Sequence, residues 1–158
     1  DIIVVLGQQE AQLRPLLAVV PQASPIVNPH YRQGKTTSIK AGLAGLSSEA
    51  EAVMILAVDQ PRNARLLSQL VVAYQQHDAT IIVPSHQGHR GHPPIFSAAL
   101  IPELMSITEE KLGLREVMEH HLEHTYEMEV DSPFVLLDLN TPKDYQQALA
   151  HFDAPDVS

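Results

Sequence analysis

The chain has no cysteine. That excludes a disulfide framework and any thiolate chemistry, and it fits a reducing, cytoplasmic setting. Long apolar runs are missing too. Nothing approaches the ~20 residues that span a bilayer, and the longest run, Ala52 to Val58, has the length of one buried strand. Cations are scarce: ten Lys and Arg face nineteen Asp and Glu, for a formal net charge of −9. With no basic stripe to neutralise phosphates along a duplex, a nucleic-acid surface is excluded. The chain holds no Gly-Lys-Ser/Thr at Walker spacing and no Gly-x-Ser-x-Gly elbow. Internal repeats, low-complexity tracts and linkers are also absent. What remains is an ordinary globular balance of 44% apolar and 18% charged residues over 158 positions. That reads as a single domain, 1–158, with a sizeable core.

The apolar pattern alternates between short β-branched runs and helical spacings. Ile2 to Leu6, ended by Gly7, reads as a buried strand. Gln8 to Val19 has helical spacing, broken near Pro15 and stopped by Pro21. Pro25 to Asn28 is a short strand, Pro29 to Lys35 a loop, and Thr37 or Ser38 a cap for the next helix. Ala52 to Val58 is the strongest strand, followed by a helix from Ala64 to His77. Further strands are expected at Thr80–Pro84, Ile95–Phe96, Tyr126–Val130 and Phe134–Leu137, with helices at Ala98–Met105 and Leu114–His121. Thr141, with Pro142 at the first helical position and Asp144 three residues on, signs a final helix. Strands alternating with helices predict an α/β fold with a mostly parallel sheet covered on both faces. In such sheets ligands sit beyond the carboxyl ends of the strands.

Residues at those ends carry the chemistry. Asp59 follows the most apolar strand and is sited to hold Mg²⁺ against a phosphate chain; its plainer reading is a helix cap. Asp138 and Asn140 repeat the pattern after a later strand and are the other metal candidates, though taken alone the stretch reads first as a helix N-cap leader. Asn28 to Gly34, with Ser38 following, is a polar loop feeding a helix N-terminus, where free N–H groups suit an anion or a base edge. Gly88-His89-Arg90-Gly91-His92-Pro93-Pro94-Ile95-Phe96 mixes breakers with cationic and titratable groups. Its backbone can approach a ligand closely, and Arg90 offers a bidentate fork to phosphate. Zinc is disfavoured at His86, His89 and His92, because the intervening glycines and prolines prevent a helix, and at His120 and His124, which read as a polar face.

In chain order these pieces resemble the MobA-like nucleotidyltransferases, most closely the molybdenum cofactor cytidylyltransferase branch. Asn28-Pro29-His30-Tyr31, Gly34, Ser38-Ile39 and Gly42-Leu43 are similar to that family's N-P-x-Y … G … S-L-x-x-G-L segment. Asp59-Gln60-Pro61 is similar to its metal-binding D-Q-P, and Gly88 to Phe96 to its G-x-R-G-H-P-x-x-F loop. Gly113-Leu114-Arg115 resembles its G-x-R, and Asp138 to Tyr145 its D-I-D/N-T-P-E-D-Y.

The resemblance implies a three-layer α/β/α, Rossmann-like nucleotidyltransferase fold. It implies transfer of CMP from CTP to the phosphate of molybdopterin, with Mg²⁺ on Asp59 and on Asp138 or Asn140. Asn28, Gly34, Ser38 and Asp59 would contact nucleotide. His89, Arg90, Gly91, His92, Pro93 and Arg115 would face the acceptor. A molybdoenzyme or its chaperone would receive the product. Two features depart from the family. Its opening strand and Gly-rich phosphate loop have no counterpart here, which implies a missing first strand within an absent unit of roughly thirty to forty residues. The G-D before G-x-R is replaced by Thr108-Glu109-Glu110-Lys111-Leu112. Two other functions fit the same residues: a truncated relative that serves as a binding or assembly module, and a sugar-phosphate nucleotidyltransferase.

Overall fold

The computed structural model describes residues 1–152. The elements run β1 (Ile2–Leu6), α1 (Glu10–Leu13), β2 (Ala23–Val27), α2 (Lys35–Leu43), β3 (Ala52–Met54), α3 (Ala64–Gln76) and β4 (Ile81–His86). Then come β5 (His89–Arg90), β6 (Ile95–Ser97), α4 (Ile101–Leu104), α5 (Leu114–His120), β7 (Thr125–Glu129) and α6 (Pro142–Phe152). The fold is α/β, with mixed strand pairing in which the longest ladders are parallel. The chain divides into two compact units, residues 1–52 with 97–122, and residues 53–96 with residue 123 onward.

In the first unit β1 and β2 pair in parallel, from Ile2 opposite Ala23 to Leu6 opposite Val27. Helix α2 packs on both strands. Leu6 and Leu43 are buried there, and Leu104, Ile107 and Val117 are buried where α4 meets α5.

In the second unit β4 is the central strand. Its partner β7 is parallel, from Ile81 opposite Thr125 to Ser85 opposite Glu129. Antiparallel to it run β6 (Ile81 with Phe96, Ile82 with Ile95) and β5 (Ser85 with Arg90, His86 with His89). Helix α3 packs on β4, placing Leu70 beside a strand whose Ile81, Ile82 and Val83 have no solvent exposure. Each such side chain contributes about 1.5–3 kcal/mol of burial. Asn63 starts α3 by accepting the Leu66 N–H at 2.9 Å.

The expected elements depart from the observed ones where pairing is non-local. The strand read over Ala52–Val58 stops at Met54. Ile55 donates to the Pro94 carbonyl at 3.2 Å, but Leu56 is 46% exposed and Val58 101%. A β-branched run becomes a strand only where a ladder partner exists. The strand read over Phe134–Leu137 is instead a 3-10 turn over Pro133–Leu136, opened by a proline and closed by the Leu137 N–H on the Phe134 carbonyl. Pro15 leaves only four α-helical residues in α1, followed by a 3-10 turn over Arg14–Val19. Helix α2 begins at Lys35 with Gly34 at its cap, so Thr37 and Ser38 lie inside the first turns rather than at the cap. Thr141 behaves as read: its hydroxyl and N–H bond the Asp144 carboxylate, and its hydroxyl oxygen accepts the Asp144 N–H at 3.2 Å.

Candidate active site

In the second unit the residues expected at strand ends stand in turns instead: Asp59 lies past the end of β3, and Asp138 follows the 3-10 turn. The Gln60 N–H bonds the Ala57 carbonyl at 3.0 Å, which leaves Asp59 exposed and tucks Gln60 inside at 5% exposure. The Gln60 amide then donates to Asp138 Oδ1 at 2.8 Å, and the Leu139 N–H donates to the Asp59 carbonyl at 2.8 Å. Asp59 and Asp138, far apart in sequence, are therefore held on adjoining segments. Asn140 follows on the exposed side, its N–H on the Asp138 carbonyl at 3.0 Å.

Arg62 is the hub of this region. Its Nε donates to the His92 carbonyl at 2.9 Å and its Nη2 to the Val135 carbonyl at 2.9 Å. Its Nη1 donates to the carbonyls of Pro61 at 2.7 Å and Leu137 at 3.1 Å. Burial pushes the guanidinium below its ordinary value, while the negative charges of Asp138 and then Asp59 act the other way. It stays a cation in either case.

The Gly88–Phe96 loop divides into a solvent-facing half and a buried half. Gln87 and Gly88, both at positive φ, make the two-residue turn of a β4–β5 hairpin. Glu129 braces that turn by accepting from the Gln87 N–H at 2.7 Å and the Ser85 hydroxyl at 2.8 Å. These bonds, Gln87 first, hold its carboxyl below the usual carboxylate range. His89 is exposed, and Arg90 is ion-paired with Glu127 at 2.6 Å. Gly91, His92 and Pro93 turn inward. The Gly91 N–H bonds the Pro84 carbonyl at 2.7 Å, and the His92 N–H bonds the Val135 carbonyl at 2.9 Å. Pro93 is among the fully buried side chains.

In the first unit the Asn28 side chain is 2% exposed and fully engaged. It donates to Thr37 Oγ1 at 2.9 Å and Ser38 Oγ at 3.0 Å, and accepts the His30 N–H at 2.9 Å. Together with Pro29, His30, Gln33, Thr37, Lys40 and Ala41 it lines a cleft of about 350 Å³. The N-terminus of α2, expected to receive a ligand anion, already holds one. Glu109 accepts the Thr36 N–H at 2.6 Å, and the bond keeps its carboxyl below the usual range. Gly34, at φ 119°, permits this approach, since a Cβ there would collide with the Glu109 side chain. Arg115 is exposed and paired with Glu119 at 2.8 Å.

The structure thus brings Asp59, Asp138, His92 and Gly91 into one bonded network, and gathers Asn28, Ser38 and Gly34 around the start of α2. It gives Arg90 and Arg115 to carboxylates of this chain. A larger cleft of about 870 Å³ lies between α3 and residues 126–135, and none of the expected site residues lines it. Sequence reasoning missed Gln60, Arg62 and Glu109. A cation directly after Asp-Gln-Pro was the available signal for Arg62; no local signal marks Glu109.

Asp59, five residues past the end of β3, and Asp138, just after the 3-10 turn, are hard-oxygen carboxylates on adjoining loops of an α/β fold rather than at strand ends, and such carboxylates are the ligand type that the class of nucleotide-handling enzymes uses for magnesium. The model of the MobA-like NTP transferase domain matches residues 1–125, and the chain belongs to that family of nucleotidyltransferases. A curated relative is the molybdenum cofactor cytidylyltransferase of Escherichia coli (strain K12), 26% identical over 147 residues, covering 91% of this chain and 71% of the relative. A nucleotidyl transferase from Methanothermobacter thermautotroptrophicus is 18% identical, with TM-score 0.75 over 95% of this chain and 72% of its own. Rv0371C from Mycobacterium tuberculosis H37Rv, solved in complex with manganese, is 22% identical, with TM-score 0.72 over 94% of this chain and 77% of its own. At these identities the solved structures show the fold. Among the described residues no helix is long and apolar enough to cross a membrane.

Proposed function

We propose that the protein transfers CMP from CTP to the phosphate of a molybdopterin-type acceptor. An acceptor phosphate oxygen attacks the α-phosphorus, the bond to the β-phosphate bridging oxygen breaks, and pyrophosphate leaves. The observation that carries this reading is the Asp59–Asp138 arrangement, tied by the Gln60 amide and the Leu139 N–H. The likeness to the Escherichia coli cytidylyltransferase favours CTP and the molybdopterin acceptor.

The residues present fit a small divalent cation. Among the described residues the Asp59 carboxylate makes no hydrogen bond or ion pair, and the only bond to the Asp138 carboxylate is Gln60 on Oδ1. No group of three His, Cys, Asp or Glu among those residues forms a closed metal cage. Magnesium in nucleotide enzymes typically uses one or two carboxylates and takes the rest from water and phosphate. Asp59 and Asp138 would hold it, with Asn140 as a further oxygen donor. When bound, the ion neutralises charge on the triphosphate. Rv0371C, a protein of similar fold, was solved in complex with manganese, which is consistent with a divalent ion on this fold.

The protein's own residues do the positioning. Gln60 orients Asp138, and the inward half of the loop, Gly91 to Pro93, offers a rigid wall on the acceptor side. Arg90 joins the acceptor only by leaving Glu127. Asn28, Gly34 and Ser38 shape the nucleotide side through backbone order, since their polar groups serve α2 and its loop. A cytoplasmic molybdoenzyme or its chaperone would take the product. The test offers the full-length protein the molybdopterin acceptor, Mg²⁺ and each nucleoside triphosphate in turn. Pyrophosphate release with CTP above the others is expected. Release with none, or equally with a sugar phosphate in place of molybdopterin, would overturn the reading.

A further inference from the structure

We infer that Arg62 is a positioning residue, fixing where the Asp59 and Asp138 carboxylates stand without itself touching substrate. The inference rests on the proposed reading of that pair as the metal-holding end of the site.

Donor arithmetic separates this role from a phosphate grip. A guanidinium has five N–H groups. Nε is spent on His92, both Nη1 hydrogens on Pro61 and Leu137, and one Nη2 hydrogen on Val135. One donor is left, which cannot make the two-pronged contact that distinguishes arginine at phosphate. Every acceptor is a backbone carbonyl, so the side chain reads the chain path rather than a ligand.

The path it fixes belongs to three segments. Pro61 directly follows the turn that presents Asp59. Leu137 immediately precedes Asp138. His92 and Val135 bond each other through the His92 N–H and the Val135 carbonyl at 2.9 Å, and Arg62 caps both. Releasing the clamp frees the Leu137 carbonyl, and the segment is then held by the Leu139 N–H on the Asp59 carbonyl and by Gln60, the one bond to the Asp138 carboxylate itself. Lysine cannot replace the fork. Its ammonium is a point donor, unable to span four carbonyls in a plane.

The sign of the charge effect makes the role testable. A cation beside two carboxylates weakens divalent-metal binding by repulsion. If charge were all that mattered, removing it would tighten the metal. If position matters, losing the fork weakens the metal even when the charge stays. The experiment titrates Mn²⁺ into the full-length protein by electron paramagnetic resonance, comparing wild type with R62K, R62Q and D59N, and checks each fold by near-ultraviolet circular dichroism. Outer-shell supports of metal ligands typically matter by about 10–100-fold. R62K and R62Q are therefore expected to bind Mn²⁺ about tenfold more weakly with a native spectrum, and D59N to lose binding. R62K within twofold of wild type while D59N loses binding would overturn the inference and leave the Asp59 reading standing. R62Q binding more tightly than wild type would also overturn it, in favour of a purely electrostatic role. D59N binding as wild type would overturn the metal reading and this inference with it. If R62K does not fold, R62Q decides by the same criterion.

Discussion

Two glycines in one loop are needed for opposite reasons, and Gly91→Ala is the sharper test. A Cβ at Gly91 would run into the Val135 carbonyl oxygen, with Val135 C at 2.8 Å and Val135 Cβ at 2.9 Å. Ordinary contact begins near 3.4 Å, so backbone must move by several tenths of an ångström or more. The same movement stretches the Gly91 N–H bond to Pro84 (2.7 Å) and the His92 N–H bond to Val135 (2.9 Å). Overpacking typically costs about 1–3 kcal/mol, and two weakened backbone bonds add about 1 kcal/mol each at most. The stiffer unfolded chain returns about half a kcal/mol. The net expectation is a loss of about 3 kcal/mol. Gly88 differs: nothing lies within 4 Å of its built Cβ, but its φ is +78°. Gly88→Ala therefore costs only left-handed strain, about 1–2 kcal/mol. Urea unfolding followed by circular dichroism, with m-values compared, measures both. A Gly91→Ala variant within 0.5 kcal/mol of wild type (roughly the scatter of neutral surface changes), or less destabilised than Gly88→Ala, would refute the packing assigned to this loop.

Glu109→Gln should lower stability by about 0.5–1 kcal/mol at pH 7, the worth of a carboxylate at an exposed helix N-terminus. Because the Thr36 N–H bond depresses the folded Glu109 pKa below the ordinary value of 4.5, its contribution is present above that value and fades as pH falls through the folded one. Urea midpoints of the two proteins should converge as pH falls below the ordinary carboxylate range, and a gap that widens on acidification would contradict the assignment. Gln60→Leu removes the donor to Asp138 Oδ1 from a nearly buried site. It should cost about 1–3 kcal/mol and weaken Mn²⁺ binding in titration, and unchanged metal affinity would count against Gln60 as the orienter of Asp138. Arg90→Ala breaks a half-exposed pair with Glu127 and should cost below about 1 kcal/mol, less still in 1 M salt. A larger or salt-insensitive loss by thermal unfolding would mean the pair is structural.

What the sequence made legible was local. The Thr141–Asp144 capping box, the start of α3 at Ala64 and the core strand β4 follow from spacing within a few residues. The strand-end placement of Asp59 did not: β3 stops at Met54, and Asp59 stands in the turn beyond it. The pieces that failed depend on partners far along the chain. Ala52–Val58 was read as seven residues of strand, but only its first part finds a ladder, and Val58 stands in solvent. Lys35 starts α2 because Glu109, 73 residues from Thr36, supplies the anion there. The Arg62 clamp reaches 30 to 75 residues onward to His92, Val135 and Leu137, and no periodicity encodes such a reach. Arg90 looked free for phosphate because Glu127, 37 residues away, is invisible to a local reading.

The central claim is that Asp59 anchors metal-dependent nucleotidyl transfer. Its most direct test is Mg²⁺-dependent pyrophosphate release from CTP with the molybdopterin acceptor, comparing the full-length protein with Asp59→Asn. Asp59 is exposed and its carboxylate supports no fold contact among the described residues, so the variant should unfold at the wild-type urea midpoint. The account predicts that midpoint together with turnover lost by at least a hundredfold, about 3 kcal/mol in the barrier. Asp59→Asn that folds and releases pyrophosphate at the wild-type rate would contradict it.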